Sequence, residues 1–122
     1  MLIFIAESNQ DLRLGLQMLL HQEPGIHVVG VAIQADGLLV QLEASQADVI
    51  ILDWHLPGAS MPDLLAEMRD FEPQPKIIVF SVNPEEKEPA LSAGADAFFG
   101  KYAPPDELLD VVRSFKVIDS TS

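Results

Sequence analysis

The chain has 122 residues, nearly half of them apolar, with 19 Asp and Glu against 7 Lys and Arg for a formal net charge of -12. That length predicts a single domain able to bury about two-thirds of its unfolded surface, and the acidic balance argues against direct binding to nucleic acid or an anionic membrane, both of which select a basic face. The absence of cysteine removes disulfide frameworks and thiolate metal sites, and fits a cytoplasmic protein.

The opening "MLIFIA" lacks a basic leader, is too short for the apolar segment of a signal peptide, and meets Glu7 at once, so residues 2–6 read as a first strand. Leu12, Leu16, Leu19 and Leu20 follow at helical spacing, and Pro24-Gly25 marks a turn into a second strand, "HVVGVA" (27–32). A third run, "DVIILD" (48–53), ends on Asp53 and breaks at Pro57-Gly58. Pro73 and Pro75 precede "KIIVFS" (76–81), and Gly94 precedes a weaker run, "AFFGK" (97–101). Between these two, "VNPEEKEPALSA" carries Pro84 and Pro89, so the fourth helix is expected to be short, shifted to start near Pro89, or partly unwound. The run "EEKE" (85–88) reads as a solvated face. Leu108, Leu109, Val112 and Phe115 set one face of a last helix, and "VIDSTS" closes the chain as a small polar tail.

Near-continuous apolar runs, rather than alternating ones, predict strands covered on both faces, as in a parallel sheet. Strands alternating with helices give five βα units, hence an α/β, doubly wound (βα)5 domain with right-handed crossovers. We place the domain at residues 1–117 and a tail or the start of a linker at 118–122. In such sheets ligands bind beyond the carboxyl ends of the strands, where strand order reverses. With five strands in the order 2-1-3-4-5, Glu7, Ser8, Asp53, Ser81 and Lys101 converge on one edge. A carboxylate nucleophile, a hydroxyl, an ammonium and a second carboxylate able to hold a divalent ion are the parts that phosphoryl transfer uses. A buried strand ending on a charge needs such compensation.

Taken in order, "IAES", "LDWHLPG", "IIVFS" and "AGADAFFGKYAPPDELL" resemble the receiver domain of bacterial two-component response regulators, across essentially the whole chain. "LRLGLQMLLHQEPGIHVVGVA" and "KYAPPDELLDVV" are most similar to the subfamily that precedes helix-turn-helix DNA-binding domains. The resemblance implies a flavodoxin-like fold in which Asp53 accepts a phosphoryl group from a histidine kinase or phosphotransfer protein. It implies that Lys101 pairs with the phosphoryl oxygens, that Ser81 hydrogen-bonds one of them, and that Ser81 and Phe98 form the switch. Mg²⁺ would be held by Glu7, Asp53 and the backbone carbonyl of His55, with Ser8 acting through a water. The domain would be no enzyme beyond catalysing its own phosphorylation and dephosphorylation. A DNA-binding output domain in a longer chain, and a homodimer through the fourth helix and fifth strand, are also compatible with it.

Two features depart from the family pattern. Where two acids usually follow the first strand, this chain has Glu7 and Ser8, so one carboxylate is missing. Two unit charges about 5 Å apart interact by roughly 3 kcal/mol at an effective dielectric near 20, so Mg²⁺ binding is expected to be weakened. The segment from Ser81 to Gly94 is also shorter than usual, and Val82 is bulkier than the small residue common there, narrowing access to the acceptor. His55 and Asn83 occupy positions that can tune hydrolysis of the acyl phosphate, although a lone loop histidine more often points to water. His21 and His27 read as surface residues. The competing function is a degenerate receiver that binds a protein partner without phosphorylation. A phosphatase of the haloacid dehalogenase type would need an Asp where His55 stands, and a flavodoxin-like cofactor site would need a hydroxyl- and glycine-rich loop where "ESNQD" stands.

Overall fold

A computed structural model describes residues 1–120, with side chains described as far as residue 115. Five strands form one parallel sheet in the order β2-β1-β3-β4-β5, where β1 is Leu2–Ala6, β2 His27–Ala32, β3 Val49–Asp53, β4 Lys76–Ser81 and β5 Ala97–Gly100. The helices are α1 (Gln10–His21), α2 (Leu38–Ser45), α3 (Met61–Met68), α4 (Lys87–Ala93) and α5 (Pro105–Ser120). The doubly wound α/β architecture is therefore the one the sequence predicts. The backbone of α5 runs to Ser120.

Period-two alternation divides the central strands between two cores. Ile3, Ile5, Val49, Ile51, Ile78 and Phe80 face α1 and α5, meeting Leu16, Leu20, Leu108 and Val112. Phe4, Ala6, Ile50, Leu52, Ile77 and Val79 face the other way, onto Leu38, Leu42, Leu64, Leu65 and Met68 of α2 and α3 and Ala90 of α4. Because both faces are covered, β3 is buried at every position, Asp53 included.

The second strand corrects its expectation. None of its residues is buried, and His27, Val29 and Val31 are exposed, because β2 is an edge strand with only partial helix cover. Its Gly30 serves packing: a Cβ there would lie 2.5 Å from Cε2 of the Phe4 ring.

The fourth helix is short, as the prolines predict, and a 3-10 turn at Pro84–Glu86 leads into it. The helix begins at Lys87, so Pro89 falls in its first turn, where a missing N–H costs no intrahelical bond. Gly94 ends it at φ 116, a conformation that disfavours side chains.

Candidate functional site

The strand ladders carry the polar residues to one edge. Asp53 pairs in register with Phe80, and Ser81 with Gly100. The Lys101 amide donates to the Ser81 carbonyl at 2.8 Å, and the Glu7 amide to the Ala32 carbonyl at 3.0 Å, so both residues continue the sheet just past its last strand positions.

Three polar groups are buried there: Glu7 at 1% exposure, Asp53 at 3% and Ser81 at 0%. Burying two carboxylates side by side requires a shared cation. Lys101 supplies it, with Nζ 2.8 Å from Glu7 Oε1 and 3.2 Å from Asp53 Oδ1. The same ammonium lies 5.4 Å from the centroid of the Phe80 ring, a further favourable contact.

The two carboxylates are held differently. Glu7 Oε2 accepts from the Asn9 amide at 2.9 Å, and Arg13 Nη1 donates to the Glu7 carbonyl at 3.1 Å. Glu7 Oε1 meets Lys101 as an ion pair but has no aligned hydrogen-bond donor among the described residues. Asp53 Oδ1 accepts from the His55 amide at 2.9 Å, in addition to its contact with Lys101. Among the described residues Asp53 Oδ2 meets only the Ser8 hydroxyl, at a long 3.5 Å. The less engaged oxygen of Asp53 is therefore Oδ2.

The response regulator receiver domain family matches residues 3–113. This chain belongs to that family. Among its relatives, the nitrate/nitrite response regulator NarL of Escherichia coli K12 is 32% identical over 113 residues, covering 91% of the receiver and 52% of the relative. DesR of Bacillus subtilis, a transcriptional regulatory protein, is 30% identical over 112 residues, covering 92% and 56%. The receiver thus spans about half the length of the curated relatives it matches. In fold it is similar to the isolated receiver domain of RcsB from Salmonella enterica serovar Typhimurium, with a TM-score of 0.86 and 23% identity over 95% of this chain and 88% of that one. The receiver domain of the putative response regulator NarL from Mycobacterium tuberculosis superposes with a TM-score of 0.83 at 24% identity, covering 93% of each chain.

Within the receiver, Glu7, Ser8, Asp53 and Lys101 form one contact network, as the sequence predicts. Ser81 joins it by a route the sequence reading missed. Its hydroxyl donates to Glu86 Oε1 and accepts from the Asn83 amide at 3.1 Å, while Glu86 Oε1 lies 2.8 Å from His55 Nε2. The expectation that "EEKE" is a solvated face is wrong at Glu86, whose side chain is only 17% exposed. His55, though 64% exposed, points to this carboxylate rather than to water alone. The available signal was the Asn83-Pro84 pair: Asn83 Oδ1 accepts from the Glu85 amide at 3.0 Å and caps the turn that folds Glu86 back.

Val82 stands exposed, as do His21 and His27. Phe98 is half-buried against the core on the α2–α4 side, in register with Val79. Among the described residues, no three His, Asp or Glu side chains group into a metal cage.

Proposed function

We propose that Asp53 accepts a phosphoryl group from a histidine kinase or phosphotransfer protein and that the change is passed to a protein-interaction face through Ser81, Phe98 and α4. The observation that carries this reading is the buried Asp53 carboxylate, one oxygen fixed by Lys101 and the His55 amide and the other turned to the sheet edge with a single long contact. In that geometry Oδ2 attacks phosphorus, the P–N bond to the donor imidazole breaks as the P–O bond forms, and Lys101 neutralises charge gathering on the phosphoryl oxygens. Ser81 then donates to one of those oxygens. A cleft of about 330 Å³ between α1 and α5, lined by Leu12, Gly15, Leu16 and Leu108, opens beside Lys101 and supports docking of the donor there.

The donor set fits Mg²⁺. Glu7 Oε1, paired with Lys101 at 2.8 Å but without an aligned hydrogen-bond donor among the described residues, and Asp53 Oδ2, with its one long contact to Ser8, are hard oxygens of the kind Mg²⁺ takes while keeping several waters. Glu7, Asp53 and the His55 backbone carbonyl would hold the ion, with Ser8 reaching it through a water, and the ion would offset phosphoryl charge. Affinity is reduced by the missing acid at position 8.

The receiver acts on no separate substrate, its chemistry being confined to its own phosphorylation and dephosphorylation. This reading is compatible with a cytoplasmic location, with a DNA-binding output domain in a longer chain and with a homodimer through α4 and β5. A second reading, a receiver that binds its partner without phosphorylation, draws on the closure of both Glu7 and Asp53 by Lys101 and on Ser8 standing where an acid is usual.

Trp54, the only tryptophan, is half-buried next to Asp53 and reports on the site. Its fluorescence is expected to change with millimolar Mg²⁺ plus beryllofluoride in the wild type and to stay constant in Asp53→Asn. No change with beryllofluoride or a small phosphodonor, in folded protein, refutes the phosphoacceptor reading. Partner binding that is equal in wild type and Asp53→Asn supports the second.

A further inference from the structure

We infer that Glu86 is an internal competitor of the phosphoryl group: its carboxylate holds the proton of the Ser81 hydroxyl that a phosphorylated Asp53 needs. This rests on the phosphoacceptor reading above. The key fact is stoichiometric. A serine hydroxyl has one proton to donate, and here it goes to Glu86 Oε1, while the Asn83 amide fills an acceptor position on the same oxygen. Ser81 is fully buried, so water cannot supply a second partner at no cost.

Glu86 suits the part chemically. A carboxylate, like a phosphoryl oxygen, is an anionic acceptor, and hydrogen bonds to charged acceptors are the stronger class. It is also anchored independently of Ser81, since His55 Nε2 lies 2.8 Å from the same oxygen. His55 lies two residues beyond the acceptor, so the pair spans from the Asp53 loop to the 3-10 turn that leads into α4. When Asp53 carries the phosphoryl group, Ser81 exchanges one anionic acceptor for another and Glu86 keeps only His55. That exchange sets a threshold for activation and releases the turn before α4.

The test uses Trp54 fluorescence to follow beryllofluoride binding, in Mg²⁺, by the full chain with Glu, Gln or Ala at position 86. Removing the carboxylate in Glu86→Ala is expected to tighten binding about tenfold, the order of one hydrogen bond to a charged group. Glu86→Gln keeps an oxygen that accepts from Ser81 and loses only the charge, so it should tighten binding by about threefold at most. In a Ser81→Ala background the three side chains should agree within about twofold, because nothing remains to compete for. Equal tightening by Gln and Ala that persists without Ser81 overturns the inference in favour of simple charge repulsion. A wild type that responds, with Glu86→Ala binding no tighter, overturns it while the phosphoacceptor reading stands. No response from any of these proteins, folded, overturns both.

Discussion

Lys101→Met isolates the electrostatic account of the site, since methionine has a similar reach but no charge. At 2.8 and 3.2 Å the ammonium attracts the two carboxylates by about 6 and about 5 kcal/mol at an effective dielectric near 20. Those figures overstate the net effect, because the Lys101 side chain is itself only 11% exposed and its desolvation offsets much of the attraction. Measured losses on breaking one side of a buried pair run about 3–5 kcal/mol, and that is the expected destabilisation here. With a urea slope of about 1–3 kcal/mol per molar, the unfolding midpoint should fall by roughly 1–5 M. Adding Glu7→Gln to Lys101→Met should recover part of that loss, because one of the two stranded charges is then gone. A cost below about 1 kcal/mol, or a Glu7→Gln change that adds to the loss, would show that Glu7 and Asp53 are not held together by this cation.

Three further changes probe the site and the packing behind it. Ser8→Asp restores a second acid beside Asp53 and should strengthen Mg²⁺ binding by about tenfold or more in a Trp54 fluorescence titration; an unchanged affinity would mean that residue 8 does not face the ion. Gly30→Ala drives a methyl group to within 2.5 Å of the Phe4 ring and should cost about 1–3 kcal/mol in thermal unfolding, with Phe4→Leu easing the loss. Asn9→Ala removes the side chain whose Oδ1 accepts from the Leu12 amide at 3.0 Å and caps α1, for an expected loss of about 1 kcal/mol in chemical denaturation.

What the sequence made legible follows from the range of the interactions involved. Strand runs such as "VIILD" and helix faces such as Leu16-Leu20 are local patterns imposed by burial, and the structure keeps both of these on the predicted cores. The Glu7–Lys101–Asp53 cluster was legible for a related reason: in a parallel sheet of known order, the residue after each strand has nowhere to go but the carboxyl edge. Cover on β2 was not legible, because an edge strand has the same composition as a central one and differs only in its neighbours.

Glu86 shows the limit most clearly. Composition makes "EEKE" a surface run, and three of its four residues are indeed not engaged with Ser81. One residue is turned inward because Asn83 caps a 3-10 turn with Pro84 at its first position, and a turn of three residues rather than a full helical step brings the side chain at 86 back over Ser81. A buried hydroxyl at the end of β4 must have an acceptor. In the absence of a phosphoryl oxygen the chain supplies its own, and the 3-10 turn that Pro84 opens is what places a carboxylate within reach. The turn before α4 and the occupation of Ser81 are therefore one structural fact, and on the inference above the cost of undoing it falls on whatever modifies Asp53.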